Sequence, residues 1–383
     1  MAFTKRKLVP DENILSGIFP GKTDLQLASC HIISNTFDTC TFRIKDYLVR
    51  LATSSLAGTA ILQNMAYKQL PGLVPPVLDI GSTMSADADA REVGYFVTTY
   101  CLGASSLEAI WDTLDQEQQV ELIDAVAHAI QKIQLLDLRN IGLQSLPVSG
   151  ADHWLQPGRI GGPKHGYFST IGQFLEKLYQ STNGACSLSD TEDGGLAIES
   201  VYEDIGRLEL TRLDLESLQK QLVFCHNDLE RRNILVRKIP GADGREQYEL
   251  AAIVDWEMAG FYPFAYEYSL QDSLLGSSNL SFSWYSLFKE RMFRLLPHDN
   301  CQTKFIRALG IIDESRKRGM TRNVSALFQI RWRDREQIQR SSDLRRGWVR
   351  KAMSQTPPPF TENDQTTLEN EILEELGHSI VDY

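Results

Sequence analysis

From Phe224 to Val236 the chain reads Phe-Cys-His-Asn-Asp-Leu-Glu-Arg-Arg-Asn-Ile-Leu-Val, and 22 residues after Asn233 stands Asp255, within Ile-Val-Asp-Trp-Glu. The polar positions take the form H-x-D-x-x-x-x-N, followed by a distant D. Such a set suits phosphoryl transfer, which asks the protein for little covalent work but needs an oriented hydroxyl and charge compensation at phosphate oxygens. Mg²⁺ takes hard oxygen ligands and keeps some of its water, so one carboxylate, Asp255, and one amide, Asn233, suffice as the protein's share of its ligands. Asp228, five residues before Asn233, is the candidate base or orienting group for the acceptor hydroxyl. His226 is read as ordering the loop through hydrogen bonds. Arg231 and Arg232 are candidate partners of the transferred group, with Arg232, which adjoins Asn233, preferred. The competing reading is a purely structural loop in an inactive relative, since Asp and Asn are ordinary turn formers. The joint order of the four polar positions favours the active one.

A loop of this kind needs a frame. Residues 222–225 and 234–236 are short apolar runs on either side of it, and 248–254 is a third, reached through Pro240-Gly241-Ala242-Asp243-Gly244; strand, loop, strand, hairpin and strand are expected. Upstream, residues 41–51 predict two short strands about a tight turn, with Phe42 and Ile44 on one face and Tyr47, Val49 and Leu51 on another. A helix is predicted over 55–70, where Leu56, Ala60, Gln63 and Tyr67 recur before Pro71 stops it, and residues 72–80 and 94–100 read as extended. Residues 101–106 form the expected hinge. Beyond it, Asp115 with Gln118 resembles a capping box that opens a long helix striped by Val120, Ile123, Val126, Ile130 and Ile133, the first of a second lobe. A further amphipathic helix is predicted over 171–179, a polar loop over 181–195, and helices after Glu267, interrupted near Pro297 and at the prolines 357–359.

The loop resembles the catalytic and metal-binding segments of the aminoglycoside phosphotransferase and choline kinase superfamily. Cys225-His226-Asn227-Asp228 is closest to choline kinases, and Asp255-Trp256-Glu257, Ala259-Gly260 and Pro263 to the broad phosphotransferase family common in fungi. The resemblance runs over roughly residues 30 to 270. It implies an α+β, bilobal protein-kinase-like fold: a nucleotide-binding lobe of small antiparallel sheet over 1–100, then a hinge and a larger, mainly helical catalytic and substrate lobe over 101–383. It also implies ATP or GTP with Mg²⁺ as cofactors, and a small-molecule alcohol or amino-alcohol as the substrate. By the same resemblance, Thr99 and Cys101 offer backbone groups to the base, and the phosphate-covering loop lies near Ser34 and Asn35. The cation expected on the third strand is Arg50 in place of Lys, and the helix acid expected to pair with it falls on Gln63. The covering loop holds no glycine, so a cradle of backbone N–H groups is not assured there. These departures leave two alternatives beside the phosphotransferase: a pseudokinase that binds nucleotide or metabolite, and a related enzyme that drives dehydration or cyclisation of a metabolite.

The aromatics Trp256, Phe261, Tyr262, Phe264, Tyr266 and Tyr268 are expected in the core more often than around a cationic acceptor. Glu257 and Glu267 could face such an acceptor, and Glu267 could equally form a structural ion pair. The formal net charge of −11 argues against an electrostatic hold on nucleic acid or anionic lipid. Residues 331–350 interleave Arg with Trp332 and Trp348, but acids among them favour a solvated helix face. Six scattered cysteines and the absence of an apolar leader near the N-terminus lead us to expect a cytoplasmic protein with reduced thiols. No run is long and apolar enough for a membrane span.

Overall fold

The structure, a computed structural model, describes residues 7–86, 91–136, 158–241, 246–351 and 360–377. The turn residues Ala242, Asp243 and Gly244, the prolines 357–359 and the first six residues therefore lie outside the described residues. Two compact units are present, one drawn from Met1–Pro157, Gly162–Gly166 and Asp228–Gly260, the other from Gly158–Gly161, Tyr167–Asn227 and Phe261–Tyr383. The architecture is α+β.

The first unit opens with helix α1 (Glu12–Ile18), capped by the Asp11 carboxylate, which accepts from the Ile14 amide. Strands β1 (His31–Asn35), β2 (Thr39–Ile44) and β3 (Tyr47–Ala52) follow, then helix α2 (Ala57–Gln69), β4 (Val77–Met84) and β5 (Glu92–Thr99). The five strands form one antiparallel sheet in the order β1-β2-β3-β5-β4. The tight turn between β2 and β3 is made by Lys45, at φ 50°. Phe42 lies opposite Val49, and Ile44 opposite Tyr47, so all four, with Leu51, point to one core shared with α1. The expectation of two faces is corrected here: residues directly opposite across an antiparallel pair emerge on the same side.

Helix α2 ends where its sequence predicts, at Gln69 before Pro71. The expected hinge is shorter than predicted, because Ala104–Ser106 forms strand β6, followed by the short helix α3 (Leu107–Ile110). Helix α4 (Gln116–Gln134) is capped by Asp115, whose Oδ1 accepts from the Gln118 amide at 2.9 Å, and it buries Ile123, Val126, Ile130 and Ile133.

Short strands β7 (Ile160–Gly162) and β8 (Gly166–Phe168) lead to helix α5 (Ile171–Tyr179). The polar loop expected over 181–195 contains one strand, β9 (Cys186–Asp190), which pairs antiparallel with β10 (Leu196–Ser200) just beyond it, and β11 (Arg207–Leu210) completes the sheet. Cys186, Leu196, Ala197, Ile198 and Leu210 of this sheet are buried. Helix α6 (Arg212–Lys220) and strand β12 (Leu222–Cys225) come next, and then β13 (Ile234–Pro240) and β14 (Glu246–Ile253) return the chain to the first unit, where the three-stranded sheet has the order β14-β13-β6.

The rest of the second unit comprises β15 (Gly260–Pro263), α7 (Phe264–Leu274), α8 (Phe282–Met292), α9 (Asn300–Gly319), α10 (Val324–Arg335), the hairpin β16 (Ile338–Arg340) and β17 (Trp348–Arg350), and α11 (Glu362–Glu375). The hairpin corrects the solvated helix face expected over 331–350. Trp332 is fully buried, Trp348 packs under the guanidiniums of Arg333 and Arg340 at 4.1 and 4.2 Å, and Arg331, Arg335 and Arg350 pair with Glu375, Asp364 and Glu336. The aromatic run from Trp256 to Tyr268 lies in the core, as expected.

Candidate functional site

The hairpin β13–β14 brings together residues that are distant in sequence. Ile234 pairs with Ile253, and one step beyond the ladder the Val254 amide donates to the Asn233 carbonyl at 2.9 Å. Asn233 and Asp255 thus flank the open end of one hairpin. Asp255 has φ 65° and ψ 64°, left-handed backbone in which a non-glycine residue costs roughly 1–2 kcal/mol. The turn after it is held in place by neighbours: Trp256 is fully buried and its indole Nε1 donates to the Ile253 carbonyl at 3.0 Å. A Cβ at Gly162 would fall 2.1 Å from the Ala259 carbonyl oxygen, so glycine there allows the backbone at 162 to approach this segment closely.

Asp228 and Asn233 form a local pair. The Asn233 side-chain amide donates to the Asp228 carboxylate at 2.7 Å and to the Asp228 backbone carbonyl at 2.9 Å. Both amide protons are thereby spent, leaving Asn233 Oδ1 to face another partner, and no described residue donates to it. Arg232 reaches Asp228 at 3.4 Å and pairs with the buried Glu230, a residue that sequence reasoning passed over. Arg231 takes the opposite course. It is buried with Asp112, Glu108 and Glu230 as its nearest acids, and desolvation lowers its pKa. Of the two arginines, Arg232 is the one whose side chain is half-exposed.

Arg50 lies in the middle of β3, opposite Thr41 and Phe96. Its Nη1 donates to Asp255 Oδ1 at 2.9 Å and its Nη2 to Glu257 Oε2, while its Nε is buried without a partner. Gln63 corrects the pairing expected of its position. It is buried and donates to the Pro75 carbonyl at 2.8 Å, not to Arg50. Glu257 is committed to Arg50, and the D-x-E spacing in the sequence was the signal that could have announced it.

Ser34 and Asn35 end the edge strand β1, at a register shift. In the turn that follows, the amides of Asp38 and Thr39 both donate to the Thr36 hydroxyl, at 3.2 and 3.0 Å. Those donors are occupied within the turn itself. Thr99 closes β5 opposite Tyr47, and Cys101 follows with its carbonyl accepting from the Ala104 amide at 3.3 Å. Burial raises the Cys101 thiol pKa.

His226 belongs to the second unit, in which it is fully buried. Its backbone amide and that of Asn227 donate to one oxygen of Glu267, at 3.1 and 2.9 Å. Glu267 is thus neither an acceptor-facing acid nor an ion-pair member: it fastens the backbone immediately before Asp228. Burial pushes its carboxyl from 4.5 up to about 7, against the lowering effect of those two amides.

Among the described residues no group of three or more His, Cys, Asp or Glu gathers as a metal site, and no helix is long and apolar enough to cross a membrane. Oxygens that a metal ion could use are offered by Asp255 and Asn233. The chemistry of this donor set fits a hard divalent cation, and Asp255 already attracts the charge of Arg50.

The model of the phosphotransferase enzyme family matches residues 31–271, more than half of the chain. No curated protein sequence matches. Among solved structures, aminoglycoside phosphotransferase APH(4)-Ia, as a thermostable mutant with ADP and hygromycin B, is 14% identical with a TM-score of 0.45, over 80% of this chain and 92% of that one. A GDP complex of an aminoglycoside 2'-phosphotransferase-IIIa mutant is 13% identical with a TM-score of 0.46, over 95% of each chain. A choline/ethanolamine kinase family protein from Mesorhizobium loti is 15% identical with a TM-score of 0.38, over 75% of this chain and 77% of that one.

Proposed function

Because the chain belongs to the phosphotransferase enzyme family, we propose that it transfers the γ-phosphoryl group of ATP or GTP, with Mg²⁺, to a hydroxyl of a small-molecule alcohol or amino-alcohol. The observation that carries this reading is the hairpin that sets Asn233 beside Asp255 while Asn233 holds the carboxylate of Asp228. Asp228 orients the acceptor hydroxyl and takes its proton as the new oxygen–phosphorus bond forms and the bond between the γ-phosphorus and the β–γ bridging oxygen breaks, releasing the nucleoside diphosphate. Arg232 offsets charge on the transferred group, and Glu267 keeps His226 and Asn227 fixed so that Asp228 stays in register. Asp255 and Asn233 Oδ1 would hold Mg²⁺, which when bound offsets charge on the phosphate oxygens. Arg50 serves the phosphates, and the strand end from Thr99 to Cys101 serves the base, with Ser34 and Asn35 at the edge nearest the covering turn. By function, residues 1–100 are then the nucleotide-binding lobe and 101–383 the hinge and the catalytic and substrate lobe. Six free cysteines agree with a reducing compartment such as the cytoplasm.

A second reading, nucleotide binding without turnover, is favoured by one arrangement: Arg50 occupies the carboxylate of Asp255, and the turn at Thr36 consumes its own amides. One experiment separates the two. The purified protein is incubated with Mg·ATP or Mg·GTP and a panel of amino-alcohols and polyols, and products are weighed by mass spectrometry. A gain of one phosphoryl group supports the transferase, and loss of water from the acceptor would point to dehydration or cyclisation. Nucleotide binding with neither product would leave the pseudokinase.

A further inference from the structure

The helix that was expected to supply an acid to the strand cation supplies none. Gln63, at that place, turns its amide to Pro75, and the guanidinium of Arg50 is held instead by two carboxylates of a single turn, Asp255 and Glu257. We propose that Glu257 is the positioning acid of Arg50, keeping the guanidinium in the site when Asp255 exchanges it for an incoming metal–nucleotide complex. The proposal rests on the phosphotransfer reading above.

Three features carry it. Arg50 grips the acids with separate nitrogens, Nη1 on Asp255 and Nη2 on Glu257, so one contact can be given up while the other is kept. Its Nε, buried and without an acceptor, leaves donor capacity that a phosphate oxygen can satisfy, since a planar guanidinium binds phosphate through more than one N–H. The turn bearing both acids is fixed from below by the buried Trp256 and its bond to the Ile253 carbonyl, so Glu257 does not follow Asp255 if that carboxylate turns toward a metal. In this scheme Arg50 is the counter-charge of Asp255 in the empty site and a phosphate ligand in the filled one. Glu257 is its partner in both. Positioning of the strand cation is thereby transferred from a helix to the loop that also carries the metal carboxylate.

The test is calorimetric titration of the wild type and Glu257→Gln with ADP plus Mg²⁺ and, separately, with adenosine, with GDP and guanosine taking their place where the wild type binds only GDP, alongside thermal melting of both proteins. Loss of one charge-assisted hydrogen bond at the phosphate site is expected to weaken Mg·ADP about tenfold in the variant. Adenosine, which has no phosphate for Arg50 to hold, should bind both proteins equally. Unchanged ADP affinity in Glu257→Gln would overturn the proposal, and so would an equal loss of ADP and adenosine, which marks a general distortion of the site. A wild type that binds neither ADP nor GDP would sink the phosphotransfer reading itself, and this outcome is visible before any variant is made.

Discussion

Two clusters of carboxylate and cation, one in each compact unit, are built from similar groups and differ in how fully those groups are satisfied. In the second unit Asp272 accepts from the Tyr285 hydroxyl at 2.6 Å and pairs with Lys289 at 3.0 Å and Arg340 at 3.3 Å. Lys289 also donates to the Tyr268 carbonyl and lies 3.5 Å from the centroid of that ring, and burial lowers its pKa to about 8. Arg340 is shared with Glu314. This cluster joins α7, α8 and the β16–β17 hairpin, and its acid has little capacity left for a ligand. In the first unit the side chains of Arg50, Asp255 and Glu257 are 20%, 34% and 27% exposed, one guanidinium nitrogen has no acceptor, and Asp255 sits in strained backbone. Closure on all sides is what a structural cluster needs. A site that must change partners keeps solvent access and unspent donors.

The comparison breaks most sharply at Lys289. Removing Lys289 leaves the buried carboxylate of Asp272 with Arg340 as its remaining cation and opens a gap beside Tyr268, so Lys289→Ala should cost about 3 kcal/mol of unfolding free energy in a denaturant titration. Nucleotide affinity of the protein that remains folded should not change. Asp255→Ala should invert that pattern: metal-dependent nucleotide binding is lost and kcat/KM falls on the order of 10²- to 10³-fold, about 3–4 kcal/mol. The melting temperature should fall only slightly, since Asp255 is a third exposed and its ion pair with Arg50 is partly screened by solvent, while alanine inherits the left-handed backbone. If both variants lost stability alike, the distinction between the clusters would fall.

Glu267 sharpens it through pH. Its folded pKa of about 7 lies above the ordinary 4.5, so between those values the folded protein binds a proton that the unfolded chain has released. The stability this contributes is complete below pH 4.5 and is lost as pH rises through about 7, by up to ~3 kcal/mol. Glu267→Gln keeps an acceptor for the His226 and Asn227 amides and should flatten that part of the stability–pH curve. The smallest effect is expected at Arg232, half-exposed beside Asp228: Arg232→Gln should lower kcat about tenfold, ~1.4 kcal/mol, with the nucleotide KM little changed. A change in nucleotide KM alone would move Arg232 out of the role given to it.

Local elements were legible where local physics suffices. The β2–β3 pair, α2 up to Pro71, the Asp115 cap of α4, helix α5 and the strands around the loop 226–233 all follow from periodicity, capping and turn chemistry. The sheet over 186–210 was missed because its strands are short and polar on one side, so that their pairing depends on partners supplied by distant chain, α9 among them. The same holds for the 338–350 hairpin, whose arginines read as solvated until Trp348 and the acids of other helices are seen to cover them.

The sequence by itself determined the α+β class, the family and the order of the polar residues, because these are written in residue types at fixed short separations. Only the tertiary structure decided the partners. That Arg50 meets Asp255 and Glu257, that Gln63 turns to Pro75, and that Glu267 fastens the backbone before Asp228 are contacts across 205, 207, 12 and about 40 residues. Which long side chain reaches which acid is settled by strand register, helix rotation and burial, and these arise from packing of the whole unit, for which spacing along the chain carries no code.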